Sequence, residues 1–440
     1  MPAPDHRVLK AWPNPRAASL AFDGRPAPGL KPGRGVSRGQ LLAVSRGRRT
    51  GDLRAPFSGT VAALAPGRVD LVYEEGRSGV PPEPVDLSGL SSRELAPALK
   101  SLGVDLPAPP PPGETVIVSA LTPEPGLDAG PALWLDQRPA LERGLALLRR
   151  LWPDREFLQI LPPKFEPLKL EPPGGGVVFS RDVFPLSLPS LLRRKTLGLA
   201  LPDARGVVSP QSLWALGAAA RSGLPLTLAP VTIQGFHYLA PPGLKLENVL
   251  ADVNLLPLPG DSVVLGGLVT GRPTARLGRG LGAADLALWL VRRQNVRGKP
   301  GPCRRCGLCR LACPMGLPMD RAASAPPGEW FLHMGAISGL LAGCAGCGAC
   351  ALACPAGLPL LLLARAAGAS DPHGRGGPPH GSDPGDDEDG GNGPSGTGGG
   401  RTKDAGTDGR VAPRNPGNPD NPNVPRDFFP PAPGPAAGPS

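Results

Sequence analysis

The sequence predicts a multidomain α+β protein with a helical, cysteine-rich domain towards its C-terminal side. Three observations lead to this fold class. Short strand-like segments separated by Gly and Pro turns fill the first 80 residues, strand and helix patterns alternate between residues 85 and 282, and all eight cysteines lie between residues 303 and 354. A length of 440 residues allows about two to four domains.

The eight cysteines form two copies of one spacing. The copies read Cys303-x-x-Cys306-x-x-Cys309-x-x-x-Cys313-Pro314 and Cys344-x-x-Cys347-x-x-Cys350-x-x-x-Cys354-Pro355. This is the ligand spacing of a bacterial-type ferredoxin with two [4Fe–4S] clusters. Structural zinc needs only paired C-x-x-C steps, and disulfides suit small secreted chains, so the spacing favours the clusters over both. The motifs therefore predict one-electron transfer.

The spacing also predicts which cysteines belong together. Four thiolates must point at one cubane cluster from four directions, and one tight loop supplies only three of them without strain. In two-cluster proteins the fourth cysteine of each motif therefore ligates the other cluster. We assign Cys303, Cys306, Cys309 and Cys354 to cluster 1, and Cys344, Cys347, Cys350 and Cys313 to cluster 2. No cysteine remains for a catalytic thiol, and we predict no catalytic residue.

The composition narrows the choice of partners and compartment. A formal net charge of +10 is typical of proteins that meet nucleic acid, an anionic membrane surface or an acidic protein. Aromatic residues make up only 4% and no recognition motif accompanies the charge, so we expect no nucleic-acid partner. No run of 18 apolar residues occurs, so membrane association would come through a partner. Thiols that must stay reduced for cluster assembly indicate the cytosol.

Residues 1–84 are predicted to form a small β domain. Gly33–Ala43 and Ala55–Val61 resemble the two halves of the barrel-sandwich hybrid found in lipoyl and biotinyl carrier domains. Carriers present a modifiable lysine at the hairpin tip, whereas the tip here, Arg46–Gly51, contains no lysine. We therefore expect an unmodified barrel-sandwich that serves for docking.

Residues 85–225 are predicted to form an α/β, Rossmann-like domain. Thr115–Ser119 and Glu156–Leu161 are its predicted strands, and Arg138–Leu151 has the 3.6-residue periodicity of an amphipathic helix. Ser209–Ser222 is a second predicted helix, because an N-cap serine is followed by proline at its start and a glycine comes directly after its end.

Residues 226–282 return to strand character and resemble a β-grasp ligand-binding segment. Thr227–Ile233 and Ser262–Leu265 are predicted strands, and Leu246–Asp252 is a predicted short helix.

Residues 283–368 are predicted to form an α-helical ferredoxin-type domain that holds both clusters, with a first helix at Asp285–Arg293. Basic residues gather before and within the first cysteine motif: Arg292, Arg293, Arg297, Lys299, Arg304, Arg305 and Arg310. Two interpretations of this basic stretch stay open, a docking face for an acidic electron-transfer partner and an ordinary solvated face. Residues 369–440 are rich in Gly, Pro, Asp and Asn and are predicted to be a disordered tail.

The order of these modules resembles the C subunit of the Rnf ion-translocating electron-transport complex. Cys303–Pro314 and Cys344–Pro355 match the cluster motifs of that family, and the similarity covers most of residues 20–366. The resemblance implies a peripheral subunit on the cytoplasmic side of the cell membrane, which takes electrons from NADH through FMN and passes them to its clusters, or works in reverse. It implies as partners the other subunits of a membrane complex, together with ferredoxin or a dehydrogenase.

One region departs from that family. Its members carry a loop of the Gly-Gly-Ala-Gly-Phe-Pro type before the first α/β strand, whereas Ser91–Gly113 contains a proline run, and the Glu-Cys-Glu-Pro type segment reads Thr122–Pro125 here. The backbone donors that would hold a phosphate are therefore missing. Three hypotheses remain: an Rnf-type electron-transfer subunit, a non-catalytic dicluster adaptor that has lost FMN and NADH binding and connects another dehydrogenase to a membrane complex, and a metal-stabilised scaffold without redox function.

Overall fold

The computed structural model describes residues 9–13, 15–75, 82–170, 175–293 and 300–368. Every described residue lies in one compact unit. The predicted tail, residues 369–440, and two members of the basic stretch, Arg297 and Lys299, lie outside the described residues.

Eight short strands begin the chain. They are β1 (Leu9–Ala11), β2 (Ala17–Ala21), β3 (Gly24–Pro26), β4 (Gly35–Val36), β5 (Leu41–Ser45), β6 (Leu53–Arg54), β7 (Gly59–Ala65) and β8 (Arg68–Tyr73). Strands β2 to β8 form two small antiparallel sheets, in the orders β2-β8-β7-β4 and β3-β5-β6. Side chains that alternate along these strands, such as Val61 on β7 and Val69 and Leu71 on β8, are buried in a common core. The barrel-sandwich assignment itself stays a prediction.

The hairpin tip between β5 and β6 contacts the module that follows it. The carbonyl of Arg49 accepts a hydrogen bond from the backbone N–H of Leu106 at 2.8 Å, and the N–H of Gly51 donates to the Asp105 carboxylate at 2.7 Å. A Cβ at residue 51 would lie 2.4 Å from the carbonyl carbon of Gly103, so this approach requires glycine. The tip is therefore fixed at both Arg49 and Gly51.

The middle of the chain alternates helices and parallel strands. Its elements are α1 (Ser92–Ser101), β9 (Val116–Ser119), α2 (Ala129–Asp136), α3 (Arg138–Leu151), β10 (Phe157–Leu161), β11 (Val177–Phe179), α4 (Pro189–Leu197), β12 (Val207–Val208) and α5 (Pro210–Ser222). The strands form one sheet in the order β11-β10-β9-β12, and all its pairings are parallel. Both predicted helices are present, and the hydroxyl of Ser209 accepts from the N–H of Ser212 as an N-cap should.

Helices α3 and α5 pack closely because each contributes a glycine to the contact. A Cβ at Gly144 would lie 1.9 Å from the Leu213 carbonyl oxygen, and one at Gly217 would lie 1.8 Å from the Ala140 carbonyl oxygen. The two backbones therefore approach each other more closely than any larger residue would allow.

A six-stranded mixed sheet follows. It combines β1 with five later strands, and one helix lies between two of them in the chain. These elements are β13 (Ala229–Ile233), β14 (Phe236–Ala240), α6 (Leu246–Asp252), β15 (Ser262–Leu265), β16 (Arg272–Thr274) and β17 (Ala287–Val291). The order is β1-β14-β13-β17-β15-β16, with β13 and β17 parallel at the centre. The predicted short helix coincides with α6. The β-grasp assignment stays a prediction.

The predicted first helix at Asp285–Arg293 is wrong, because β17 occupies this segment as a strand. Leu286 has a φ of 55°, which no α-helix accommodates, and the next five residues hydrogen-bond between β13 and β15. Leu-Ala-Leu has a high helix propensity, but burial of Leu288 and Leu290 in the sheet outweighs it. This segment therefore belongs with the mixed sheet and not with the helical domain predicted to start at residue 283.

The N-terminal strands and the mixed sheet share one hydrophobic core. Strand β1, predicted with residues 1–84, pairs in parallel with β14 instead of joining either small sheet. Buried side chains from both regions, including Leu20, Leu71 and Leu288, belong to the same core. Two regions predicted as separate domains are therefore packed as one body.

Residues 300–368 are helical. The helices are α7 (Leu308–Leu311), α8 (Met319–Ala322), α9 (Met334–Leu340), α10 (Ala349–Ala353) and α11 (Leu360–Ala366), with a 3₁₀ helix at Pro327–His333. The two cysteine motifs adopt one backbone conformation 41 residues apart: Gly307 and Gly348 precede α7 and α10 with φ of 73° and 75°. The sequence repeat is therefore also a structural repeat.

Candidate iron–sulfur centres

Four cysteines from both motifs line one cavity. Cys303 and Cys306 lie in the loop before α7, Cys309 lies on α7, and Cys354 follows α10 directly. We call Cys303, Cys306, Cys309 and Cys354 the outer set. These are the four residues that the sequence assigns to cluster 1.

The remaining four cysteines also lie close together. Cys344, Cys347 and Cys350 are buried, and the Cys313 thiol lies close enough to act electrostatically on each of the three. We call Cys313, Cys344, Cys347 and Cys350 the inner set. Helices α7 and α10 pack against each other, so the end of each lies beside the loop of the other motif. This packing is compatible with the crossed ligand sets that the sequence predicts, and the assignment of ligands to clusters stays a prediction.

Burial raises the pKa of three of the inner thiols. Burial raises the pKa of Cys347 to about 11 and that of Cys350 to about 12, and neighbouring thiols add to both shifts. Burial also raises the pKa of Cys344, while a hydrogen bond from the Gly346 N–H to its sulfur, at 3.5 Å, lowers it. Since iron binds the thiolate, assembly of a cluster at this site has to displace protons.

The two sets differ in their surroundings. Cys347 packs in a small apolar core with Leu188 and Leu191, at the start of α4, so the α/β module forms one wall of the inner site. In the outer set, by contrast, Cys306 is exposed and Cys303 is partly exposed. The inner site therefore faces the protein, and the outer site faces solvent.

An acidic side chain that sequence reasoning missed lies beside the outer set. Asp320 on α8 lines the same cavity, and its Oδ1 is buried without a hydrogen-bond partner among the described residues. After burial, the Asp320 charge is the next cause that raises the pKa of Cys309. The second repeat has Leu361 at the equivalent position, so an alignment of the two repeats would have revealed this difference.

The basic stretch separates into two groups. Arg292 forms an ion pair with Asp261 at 2.7 Å, and the N–H of Arg293 donates to the same carboxylate, so both belong to the mixed sheet. Arg304, Arg305 and Arg310 are exposed, and the first two line the outer cavity. The predicted basic face thus narrows to three arginines around the outer set.

The region where the Rnf family carries its flavin loop is packed with side chains of this chain. Most of Ser91–Gly113 forms α1 and the loop after it, with Leu95 and Leu99 fully buried. After β9, the buried Glu124 carboxylate accepts hydrogen bonds from the N–H and hydroxyl of Thr270 at 3.1 and 2.9 Å. A Cβ at Gly267 would lie 1.4 Å from a Glu124 oxygen. The loop after β15 therefore covers this edge of the parallel sheet.

The donor sets fit [4Fe–4S] clusters. Each site offers four cysteine thiols, the soft ligands that iron–sulfur clusters require, set among apolar side chains. All eight thiols are free of disulfides. Among the described residues, no three His, Cys, Asp or Glu side chains converge closely enough for a single metal ion.

Comparison with known proteins supports this assignment. The sequence pattern of the 4Fe-4S dicluster domain family matches residues 301–358. The site and this match together define an iron–sulfur electron-transfer protein. No curated protein sequence matches the chain.

Two solved structures show a distant likeness. The crystal structure of an NAD+-reducing [NiFe]-hydrogenase in the air-oxidized state has 12% identity and a TM-score of 0.40, and the match covers 62% of this chain and 56% of that chain. The structure of the H2-reduced state has 12% identity and a TM-score of 0.38, and the match covers 57% of this chain and 53% of that chain. The present chain thus spans little more than half the length of these hydrogenase chains.

Within the described ranges, no helix combines the length and apolarity needed to cross a bilayer.

Proposed function

We propose that this chain is the iron–sulfur subunit of a membrane-associated, Rnf-type electron-transport complex. It relays single electrons between donors on the NADH or ferredoxin side and partner subunits in the membrane, and it is bound peripherally on the cytoplasmic side. The observation that carries the proposal is the pair of crossed cysteine sets in one small domain, one set facing the protein and one facing solvent. The predicted module order, with a barrel-sandwich, a Rossmann-like domain and a β-grasp segment, supports the Rnf assignment.

The chain's own residues set the conditions for electron transfer. When bound, each cluster supplies one-electron chemistry. Apolar side chains around Cys347 exclude water, which lowers the dielectric constant at the inner site. The N–H of Gly346 donates to the Cys344 sulfur and so stabilises negative charge there. Each repeat holds one cysteine on a short helix, Cys309 on α7 and Cys350 on α10.

A second candidate function is a dicluster adaptor without flavin or NADH chemistry. The covered edge of the parallel sheet favours it, because nucleotides bind in an open crevice at the carboxyl ends of such strands. Here Thr270 bonds to Glu124, and the Thr122 N–H donates to Asp182 at 2.8 Å across the same edge. In this alternative the chain connects another dehydrogenase to a membrane complex.

Anaerobically reconstituted protein distinguishes the two functions. We expect about eight irons per chain, as two cubanes require, with EPR signals that appear on reduction. Cluster reduction by NADH in the presence of FMN would support the NADH-oxidising subunit. Reduction by dithionite alone, with no response to NADH, would support the adaptor. Protein that takes up iron but does not cycle would contradict both and leave the scaffold hypothesis.

The membrane context needs a separate test. If the chain is a peripheral subunit, it should sediment with membranes from the native cells and be released by a high-salt or alkaline wash. Quantitative recovery in the soluble fraction at low ionic strength would contradict membrane association without affecting the relay function.

A further inference from the structure

The two cysteine motifs share a backbone but present opposite surfaces. Aligned with an offset of 41 residues, three arginines of the first repeat correspond to small residues of the second: Arg304 to Ala345, Arg305 to Gly346 and Arg310 to Ala351. Ala345 is buried against Leu188 and Leu191 beside α4, whereas the three arginines are exposed. The second motif is therefore covered by the α/β module, and the matching surface of the first is uncovered.

The uncovered surface combines charge with apolar contact area. We call it the outer face, and it consists of Arg304, Arg305, Leu308, Arg310 and Leu311. Leu308 and Leu311 are 44% and 69% exposed, and their i, i+3 spacing places them on the same side of α7. In the second repeat, Ala349 at the position of Leu308 is buried against the α/β module. Protein-binding surfaces combine apolar side chains with charged residues at their rim, and the outer face has this composition.

The arginines of the outer face have no acidic partner within the part of the chain that the structure describes. By contrast, Arg193 pairs with Glu114 and Asp203, and Arg292 pairs with Asp261. Between residues 300 and 368 there are five arginines against Asp320 and Glu329. Arg304 and Arg305 form part of the lining of the outer cavity, so positive charge lies beside the outer set.

We propose that the outer face docks an acidic one-electron carrier protein of the ferredoxin class. This inference rests on the proposed relay function and adds where, and with what kind of partner, the relay exchanges electrons. One electron leaves the reduced carrier and enters the cluster held by the outer set, so the carrier is oxidised by one equivalent and the cluster is reduced by one. No bond forms or breaks, and the reverse step has the same balance.

The exposed cysteines and the positive charge of the outer face both favour an acidic redox protein as the docking partner. Electron tunnelling weakens steeply with distance, so a redox partner has to bring its cofactor close to the exposed Cys303 and Cys306. Positive charge around that point steers an acidic protein into this orientation and raises the association rate.

The test measures electron transfer from a purified acidic ferredoxin, reduced electrochemically, to the reconstituted full-length chain by stopped-flow spectroscopy. For the wild type we expect the second-order rate constant to fall steeply as ionic strength rises. Charge reversal of Arg304, Arg305 and Arg310 to Glu should lower this constant at low salt by about tenfold or more and remove its salt dependence. Leu311→Ser, which keeps the charge, should weaken the complex while preserving the salt dependence.

A matched control separates docking from total charge. Reversal of Arg25, Arg48 and Arg93 to Glu changes the net charge equally at exposed positions on β3, the β5–β6 tip and α1. This variant should transfer electrons at nearly the wild-type rate. Iron content should match the wild type in every variant that is compared. Because Arg304 and Arg305 line the outer cavity and also act on the potential of the cluster, the midpoint potential of each variant is measured and rate constants are compared at equal driving force. If the Glu variant of the outer face fails to load iron, Gln replacements of the same three arginines should still lower the rate constant for electron transfer from ferredoxin. Poly-glutamate added to the wild type should inhibit the same electron transfer by occupying the outer face.

The outcomes distinguish failure of docking from failure of the relay. Wild-type protein whose clusters respond to a small-molecule reductant, but which exchanges with ferredoxin slowly or without salt dependence, would overturn the docking proposal alone. Equal rates for the two triple variants would also overturn it. A wild-type dimer that becomes monomeric on charge reversal of the outer face would assign this face to a second copy of the chain. Protein that holds no redox-active cluster would overturn the relay function itself.

Discussion

Asp320 makes the two cluster sites electrically unequal. Its carboxylate lines the outer cavity with one oxygen lacking a hydrogen-bond partner among the described residues, whereas the second repeat has Leu361 at this position. A reduced cluster is more negative than an oxidised one, so a nearby carboxylate opposes reduction. The arginines of the outer face act in the opposite direction. The potential of the outer site therefore reflects a balance between these charges.

We predict that Asp320→Asn raises the midpoint potential of the outer cluster. Removal of one nearby negative charge lowers the free energy of the reduced cluster relative to the oxidised cluster by on the order of 1 kcal/mol. For a one-electron couple this corresponds to a midpoint potential that is higher by about 40 mV. EPR-monitored redox titration measures the shift. Glu329→Gln, which removes an exposed carboxylate from the same domain, serves as the control and should leave the potential unchanged. An equal shift in both variants would attribute the effect to net charge.

Crossed ligation predicts a specific pattern of iron loss. Cys306→Ala and Cys354→Ala each damage the outer set, so their combination should lose no more iron than either alone and retain about four irons per chain. Cys306→Ala combined with Cys313→Ala damages both sets and should lose both clusters. Iron and sulfide analysis measures the result. Loss of both clusters in the first double variant would rule out crossing.

At the scale of elements, sequence patterns succeeded where local signals and packing agree. Helices α3 and α5 and the short helix α6 lie where periodicity and caps predict them. Helix α1 was missed although Ser91 and Glu94 form a capping box, a signal that the sequence contains. Strand β17 could not be predicted from its helix-favouring residues, because its identity depends on β13, more than fifty residues earlier in the chain.

The site shows the same division between local and distant information. Cysteine spacing is local, so both ligand sets could be assigned from the sequence alone. The wall that Leu188 and Leu191 build against Cys347 depends on the three-dimensional packing of α4, for which no spacing rule exists. Sequence reasoning therefore predicts the ligands but could not tell which site faces the protein.

We predict that Gly217→Ala destabilises the packing of α3 on α5. The added Cβ would lie 1.8 Å from the Ala140 carbonyl oxygen, and such overpacking costs about 1–3 kcal/mol. A lower Tm by circular dichroism is the expected readout. Gly335→Ala on α9 meets no atom within 4 Å and should be neutral or slightly stabilising. A wild-type Tm for the Gly217 variant would contradict the close contact.

On the scale of the whole molecule, one loop joins three regions of the chain. Thr270, after β15, donates from its N–H and hydroxyl to Glu124 of the α/β region, and its carbonyl accepts from Arg365 of α11 at 2.6 Å. Gly348, beside the inner set, has room only for a hydrogen because Val269 lies 2.8 Å from where its Cβ would be. The loop therefore links the α/β region to the helical domain.

Thr270→Val should loosen this junction. Loss of the hydroxyl removes one of the hydrogen bonds to the buried Glu124 carboxylate, at a cost of roughly 1–3 kcal/mol. We expect faster limited proteolysis between the α/β region and the helical domain, together with faster loss of iron from the inner set to a chelator. Thr270→Ser retains the hydroxyl and should behave as the wild type. Unchanged proteolysis in the Val variant would show that the junction does not depend on this bond.

The pairing of β1 with β14 imposes a delay during synthesis. Leu9 leaves the ribosome long before His237, the residue it lies opposite in the finished sheet. At typical translation speeds the first strand waits for its neighbour for roughly ten to fifty seconds. During that time Trp12, later buried in the shared core, lacks the strand β14 that packs beside it in the finished fold, so the nascent chain exposes an apolar ring for longer than a locally paired strand would.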